Sequence, residues 1–461
     1  MRWDMKSRNA RRYLLGILVV ILAFNYVDRQ ALALVLQDIK SDLHLTDTQL
    51  GLLTGVAFAL FYSLMGIPIA RWADRGNRVA VISTAVAVWS AAVALCAVAG
   101  NFAQLLLIRV GVAIGEAGCI PPANSLISDH FDRSERPRAL ATYMLGIPLS
   151  ALFGYFLAGW LNEIYGWRVT FVVLGAPGIV LAALAWFTLA DPRFVRGATR
   201  SAREPDEIGM GQRKIPQPPA AQPTLKQIVG RLYSSVTFRH ILMGFSVTSF
   251  FAYGIGQWLP AFFIRSFGLQ TGELGIWLAL IQGLGGLLGT YWGGQWALRH
   301  AKNNECLQLK VMAAGYTACG VIFAGVCLCS GRYAAFGLLT LAIVGGSTVS
   351  GPLFGTIQTL VPQGMRAVAV ALVYLFANLI GGGLGPLAVG FLSDTFRLTA
   401  GEESLRYALL LLTPGYLWGA WHLWRGSITV MRDLESAQCD SGFSDAGREH
   451  LGTETARVSS G

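Results

Sequence analysis

Long uninterrupted apolar runs dominate the chain, and short polar clusters separate them. Tyr13 to Val27, Val79 to Ala99 and Tyr407 to Trp424 show the pattern best. An apolar run of roughly 18 residues or more, wound as a helix, crosses the hydrocarbon layer of a bilayer, whereas a buried helix of a water-soluble domain rarely needs that length. The pattern predicts twelve spans, near 13–36, 46–70, 79–100, 103–126, 138–161, 169–190, 238–264, 273–297, 309–329, 333–360, 367–392 and 405–425. The fold class is therefore all-α and membrane-integral. Ala31-Leu32-Ala33 imitates a signal-peptidase site, but Asp28 and Arg29 interrupt the run before it and the apolar pattern resumes to Leu36. The first segment is read as a retained span.

Lys and Arg concentrate in alternate connections. Five precede the first span, three (Arg71, Arg75, Arg78) separate spans two and three, three (Arg133, Arg136, Arg138) separate four and five, and eight lie between six and seven. The opposite connections hold little beyond Lys40, Arg168, Arg265, Arg332 and Arg397. By the positive-inside rule both termini are expected in the cytoplasm, the protein lying in the cell (inner) membrane. The implied organisation is a cytoplasmic N-terminus (1–12), a six-helix bundle (13–190), a cytoplasmic linker (191–236), a second six-helix bundle (237–425) and a disordered cytoplasmic tail (426–461). Within the linker, Pro216, Pro218, Pro219 and Pro223 break structure. From Thr224 onward, Leu225, Ile228, Val229 and Leu232 oppose Lys226 and Arg231, the spacing of a short helix lying on the membrane surface.

The two bundles repeat. At an offset of 231, Gly154, Gly159, Leu161 and Glu163 match Gly385, Gly390, Leu392 and Asp394. At 230, Pro122 and Arg136 match Pro352 and Arg366, and at 224, Leu50-Gly51 and Trp72-Ala73-x-Arg75 match Leu274-Gly275 and Trp296-Ala297-x-Arg299. Two parallel six-helix halves with a site between them at mid-membrane follow. Small residues recur every four positions at Gly146, Ser150, Gly154 and Ala158, at Gly285, Gly289 and Gly293, and at Gly381 and Gly385, the spacing that lets two helix backbones approach. Static packing and rocking between states both use such stripes.

Composition narrows the function. Of 461 residues, 54% are hydrophobic and 13% charged, more apolar surface than one soluble core would hide. The net charge of +10 comes from scattered basic residues without interleaved aromatics, so nucleic acid is not an expected partner. Seven cysteines without a CxxC pair give neither a zinc site nor a disulfide framework, and no GxxxxGK[ST] loop for ATP occurs. No cofactor or metal is expected, and gradient energy is the remaining driving force. An enzyme reading, a membrane-embedded lipid hydrolase, would rest on His130 beside Asp129 without a serine elbow or metal-spaced histidines.

Ionisable residues inside the spans are costly and mark function by default. Asp28 and Arg29 lie in the first span, Arg109 and Glu116 in the fourth. Arg109 and Glu116 are two helical turns apart and share a face. Asp28 and Arg29 diverge by about 100°, so one faces a cavity and the other finds a lateral partner. The arrangement predicts a network in which the two arginines are exchanged between Asp28, Glu116 and an anionic substrate group. Glu116, then Asp28, is the expected proton-coupling site; a static ion pair between the helices is the alternative. At the offset of 224, Asp28 and Arg29 fall on Ala252 and Tyr253, so the second half lacks equivalent charges. Arg29 and Arg109 are expected to bind the substrate anion, with Tyr253, Trp258 and Asn378 as further substrate contacts. Among the aromatics Phe250, Phe251, Tyr253, Trp258, Phe262 and Phe263, and the polar Gln257, Gln358 and Tyr374, others can contribute.

Ala70-Arg71-Trp72-Ala73-Asp74-Arg75-Gly76-Asn77-Arg78 resembles the cytoplasmic motif of the major facilitator superfamily, with alanine in place of the usual initial glycine and Asn77 inserted before Arg78. The resemblance implies that Asp74, Arg75 and Arg78 latch the halves in the outward-facing state. Asn25-Tyr26-Val27-Asp28-Arg29, with Arg109 and Gly115-Glu116-Ala117, resembles the spinster family within that superfamily, over roughly residues 13–425. That implies alternating-access transport of a lysophospholipid or a sphingosine-1-phosphate-like lipid, often coupled to protons, by a chain expected to act as a monomer among membrane lipids. A transporter of a small organic anion or drug would use the same arginines.

Overall fold

A computed structural model describes residues 8–193, 225–301, 304–361 and 365–435. Gln358, whose side chain is not among them, the linker prolines and residues 436–461 fall outside that description. The spans are α1 (Arg8–Leu43), α2 (Asp47–Arg75), α3 (Arg78–Val98), α4 (Phe102–His130), α5 (136–165), α6 (167–188), α7 (Val236–Phe267), α8 (Thr271–His300), α9 (Glu305–Leu328), α10 (Arg332–Leu360), α11 (366–400) and α12 (404–435). These are the twelve expected membrane helices, and the described residues contain no strand.

Local chemistry sets the breaks. Thr46 and Gln49 form a capping box at the start of α2. Asn77, Asn101, Ser235 and Asn304 cap α3, α4, α7 and α9 by accepting from amides of the first turn, which would otherwise lack partners. Gly166, at φ 79°, turns α5 into α6 in a left-handed conformation that a side chain would strain. The amphipathic helix appears at Leu225–Ser234, with Ile228 and Leu232 buried.

Several helices run past the sequence reading, α1 to Leu43 instead of 36, α2 to Arg75 instead of 70 and α11 to 400 instead of 392, and two further differences concern the ends of the membrane domain. Helix α1 already includes Arg8 to Arg12, and α12 continues to Glu435 instead of ending near 425. Asp433 explains the second: its carboxylate accepts from Ser235 Oγ at 2.7 Å and from Thr237 N–H at 2.8 Å, capping α7. With Val430 fully buried, tertiary packing extends a helix whose polar composition suggested a free tail.

The face at which α1 begins is called here the terminal face; the α1–α2, α5–α6, α7–α8 and α11–α12 connections lie at the opposite, far face. Two related seams join the halves toward the far face, α2 against α11 and α5 against α8. A Cβ added to Gly390 of α11 would stand 2.2 Å from Asp47 O of α2, and one added to its repeat partner Gly159 of α5 would stand 2.4 Å from Thr271 O of α8. The acids that follow them also correspond. Asp394 accepts from the Asp47 and Thr48 amides at 3.0 and 2.7 Å, and Glu163 accepts from the Gly272 amide at 2.6 Å. Each acid sits at the positive end of the facing helix. The four-residue stripes serve a different purpose: Gly146 and Gly154 pack on α1, Gly289 and Gly293 on α10, and Gly381 and Gly385 on α7, all within one half. Static packing accounts for them.

Gly390→Val is therefore expected to wedge the α2–α11 seam, since overfilling a packed contact costs about 1–3 kcal/mol. The far face should part, while the same change at Gly382, where an added Cβ meets nothing within 4 Å, should leave it sealed. Distances between spin labels on the two sides of the far face check the wedge directly.

Candidate functional site

Four ionisable residues on helices α1 and α4 pair crosswise between the two helices. Arg109 Nη1 donates to Asp28 Oδ2 at 2.7 Å. Arg29 Nε donates to Glu116 Oε2 at 2.9 Å, and its Nη2 bonds to the same oxygen. The predicted divergence of Asp28 and Arg29 is realised: Asp28 is buried against α4, whereas Arg29 faces a cavity between the halves.

That cavity has a volume of about 390 Å³, within the usual range for ligand sites. Its N-terminal wall holds Tyr26, Arg29, Phe58, Tyr62 and Arg109; its C-terminal wall holds Ala252, Tyr253, Gln257, Gln282 and Asn378. Both carboxylates stay out of the wall: Glu116 is 0% and Asp28 2% exposed. The guanidinium of Arg29 stands 4.6, 4.4 and 5.3 Å from the ring centres of Tyr26, Phe58 and Tyr62. These negative ring faces hold the Arg29 cation in an aromatic collar, and Phe58 also lies 5.4 Å from the Arg109 guanidinium.

The structure brings Arg29, Arg109, Tyr253 and Asn378 to the cavity, with Asp28 and Glu116 directly behind the arginines. Trp258 is a correction. It is fully buried, donates Nε1–H to Pro386 O at 2.9 Å and stands away from the wall, because the α7–α11 contact takes up its whole ring. Phe262 and Phe263 are likewise buried in packing. Sequence reasoning missed Gln30 and the Gln282–Tyr155 pair, joined at 3.1 Å. It also missed Asp47, which accepts from Lys40 Nζ at 2.6 Å, from Arg265 Nη1 and Nη2 at 2.7 and 2.6 Å, and from Ser393 Oγ at 2.7 Å. The available signal was an acid at the start of one span and an arginine at the end of another, both in connections poor in charge.

The polar motif after α2 lies at the terminal face. Arg78 is buried and binds Asp191 through its backbone N–H, Nε and Nη2, and Ser125 and Asp129 through its guanidinium. Burial alone would raise the Asp191 carboxyl, but the hydrogen bonds from Arg78 outweigh it and hold the group below the ordinary carboxylate range. Arg193 donates to Asp74 O at 3.3 Å. Among the described residues, Asp74, Arg75 and Arg78 form no hydrogen bond or ion pair with the C-terminal half. The halves are thus bonded at the far face and not through these residues at the terminal face, and Tyr253 and Tyr374, in the space between the halves, are about half exposed. Asp129 is taken by Arg78, and His130 Nδ1 lies 2.9 Å from Leu126 O of its own helix. The pair forms no catalytic couple.

A cavity between two repeated six-helix halves, closed on one face and lined by ion-paired arginines, defines a secondary transporter and not an enzyme. The Major Facilitator Superfamily model matches residues 18–386, and the chain belongs to that superfamily. It is 32% identical over 428 residues to an MFS-type efflux pump of Mycolicibacterium smegmatis, covering 91% of this chain and 93% of that one. It is 24% identical over 397 residues to a probable L-galactonate transporter of Escherichia coli, covering 86% and 84%. Among solved structures it resembles a bacterial homolog of the human lysosomal transporter spinster in an inward-facing, unoccupied conformation, with a TM-score of 0.79, 29% identity and 93% and 99% coverage. The resemblance to spinster transporters read from the span-one and span-four motifs is thereby confirmed.

Proposed function

We propose that this transporter moves an anionic amphiphile of the lysophospholipid or sphingosine-1-phosphate class by alternating access, coupled to protons, as a monomer in the cell membrane with the terminal face in the cytoplasm. The observation that carries the reading is Arg29, a cavity-lining cation held among three aromatic rings and backed by a carboxylate that the cavity does not reach. A phosphate taking Arg29 draws it from Glu116. The freed Glu116 binds a proton more readily, so substrate and proton occupancy are linked. Asp28, held by Arg109, is the second proton site. Phe58, Tyr62 and Tyr253 supply apolar contact for the chain, and Asn378 a hydrogen bond for the headgroup. Asp74, Arg75 and Arg78 latch the terminal face in the opposite state, which fits Asp74 and Arg75 having no C-terminal partner among the described residues in this one.

A specific feature favours a second reading, a small hydroxylated organic anion: four amide side chains, Gln30, Gln257, Gln282 and Asn378, line the cavity. Competition by lysophosphatidylglycerols of increasing acyl length separates the two. For a lipid, each methylene buried adds about 0.8 kcal/mol, close to a fourfold gain in apparent affinity. A flat dependence on chain length would move the small anion to first place.

A further inference from the structure

The two ion pairs leave half of each carboxylate unused. Glu116 Oε1 and Asp28 Oδ1 are buried and accept no hydrogen bond from the described residues. Arg109 Nε is also buried without an acceptor among the described residues. One turn before Asp28 on α1, Asn25 is fully buried, and neither its Oδ1 nor its Nδ2 has a partner among the described residues. Helical geometry puts Asn25 about 4.5 Å nearer the terminal face than Asp28, at an azimuth between Asp28 and Arg29. Asn25 lines no part of the cavity. On α4, eight residues past Glu116 toward the same face, the partly exposed Asn124 repeats the pattern with an unbonded Oδ1.

A buried amide with no partner keeps the desolvation penalty of each bond left unmade, so a fold that keeps one supplies the partner from elsewhere. The chemistry of the unpaired atoms selects that partner. A metal cation would satisfy the three oxygens and be repelled by Asn25 Nδ2–H and Arg109 Nε–H. Water accepts from the donors and donates to the carboxylates, and groups of this mixed kind are what buried water bridges.

We infer that Asn25 is a positioning residue that holds water against Asp28 and Glu116 and continues it toward the terminal face, giving protons a path behind the arginines that is separate from the substrate cavity. The inference rests on the proton-coupled reading above. The charged and titratable groups around the carboxylates are Arg29 and Tyr26 from α1, Tyr62 from α2, Cys96 at the end of α3, and Arg109 and Cys119 from α4. The arginines stand between the carboxylates and the cavity, so a proton arriving from that side would have to pass two cations.

The test compares wild type, Asn25→Leu and Asn25→Ser in proteoliposomes, with labelled lysophosphatidylglycerol as the probe. Two modes are measured: uptake driven by a proton gradient, and counterflow, which exchanges substrate without net proton movement. Leucine matches asparagine in size and holds no water. The expected result is a loss of at least tenfold in gradient-driven uptake with counterflow kept within twofold, a shifted pH profile of uptake, and recovery by serine. Equal loss of both modes in Asn25→Leu, or of neither, overturns the inference. Failure of the underlying reading appears elsewhere: wild type would show counterflow but no response to the gradient, and a proton path would then have nothing to carry.

Discussion

Arg29→Ala should reduce substrate flux about a hundredfold or more in proteoliposomes, the largest effect of any single change in the cavity. Both contacts of Arg29 with Glu116 fall on one oxygen of a carboxylate that is 0% exposed. Truncating one partner of a buried charge pair typically costs 2–5 kcal/mol, much of it from the charge left unpaired, and about 2.7 kcal/mol already corresponds to a hundredfold. The variant also removes the cavity's aromatic-collared anion-binding group, so stability and substrate affinity should fall together. A second substitution separates them. Adding Glu116→Gln to Arg29→Ala takes away the unpaired charge, so melting temperature should recover most of its loss while flux stays absent. Residues in contact couple in this non-additive way. Flux above half of wild type in Arg29→Ala would remove Arg29 from substrate binding and return the pair to a static role.

Asp47→Ala should open the far face. The carboxylate is fully buried and gathers Lys40, Arg265 and Ser393, so α1, α2, α7 and α11 meet on one acid. Removing it leaves Arg265, whose side chain is 3% exposed, without its counter-ion. Breaking a buried pair from one side costs about 3–5 kcal/mol, and that cost falls on the state in which the far face is closed. A shift of this size moves the ratio of closed to open molecules by a factor on the order of a hundred or more. Spin labels placed on the α1–α2 and α7–α8 connections should change from one short distance to a distribution dominated by a long one. Substrate binding should persist, because the cavity wall is untouched. An unchanged distance distribution would mean that the paired glycine seams alone hold the face shut.

Much of this architecture follows from one-dimensional pattern. Apolar run length fixes where the chain crosses the membrane, because in hydrocarbon a helix is the economical way to satisfy every backbone amide of a single span. The repeat offset of 231 pairs positions that the fold then places at the seams: Gly159 and Gly390, matched in sequence, are among the positions where opposing backbones come closest, and Glu163 and Asp394 cap opposing helices. The cost of charge in a span singles out Asp28, Arg29, Arg109 and Glu116, and helical angle separates Arg29 from Asp28.

What the sequence could not settle was which partner each of these groups chooses. Arg109 and Glu116 share a face of α4 and sit two turns apart, yet each bonds to α1 rather than to the other, a choice set by how the helices cross. Trp258 looks like Tyr253 along the chain, five residues earlier on α7. One fills the packing between α7 and α11 and the other lines the cavity, since only the position of α11 decides which flank of α7 is covered. Asp47 and Arg265 are 218 residues apart and belong to different halves, so no local pattern joins them. By itself the sequence determined the spans, the two-fold repeat and the charged residues that must have a purpose, because bilayer thickness, helical period and the cost of burying charge act on each segment alone. The tertiary structure decided the pairing, the sealed face and the cavity wall, because these depend on distances between helices that no single helix encodes.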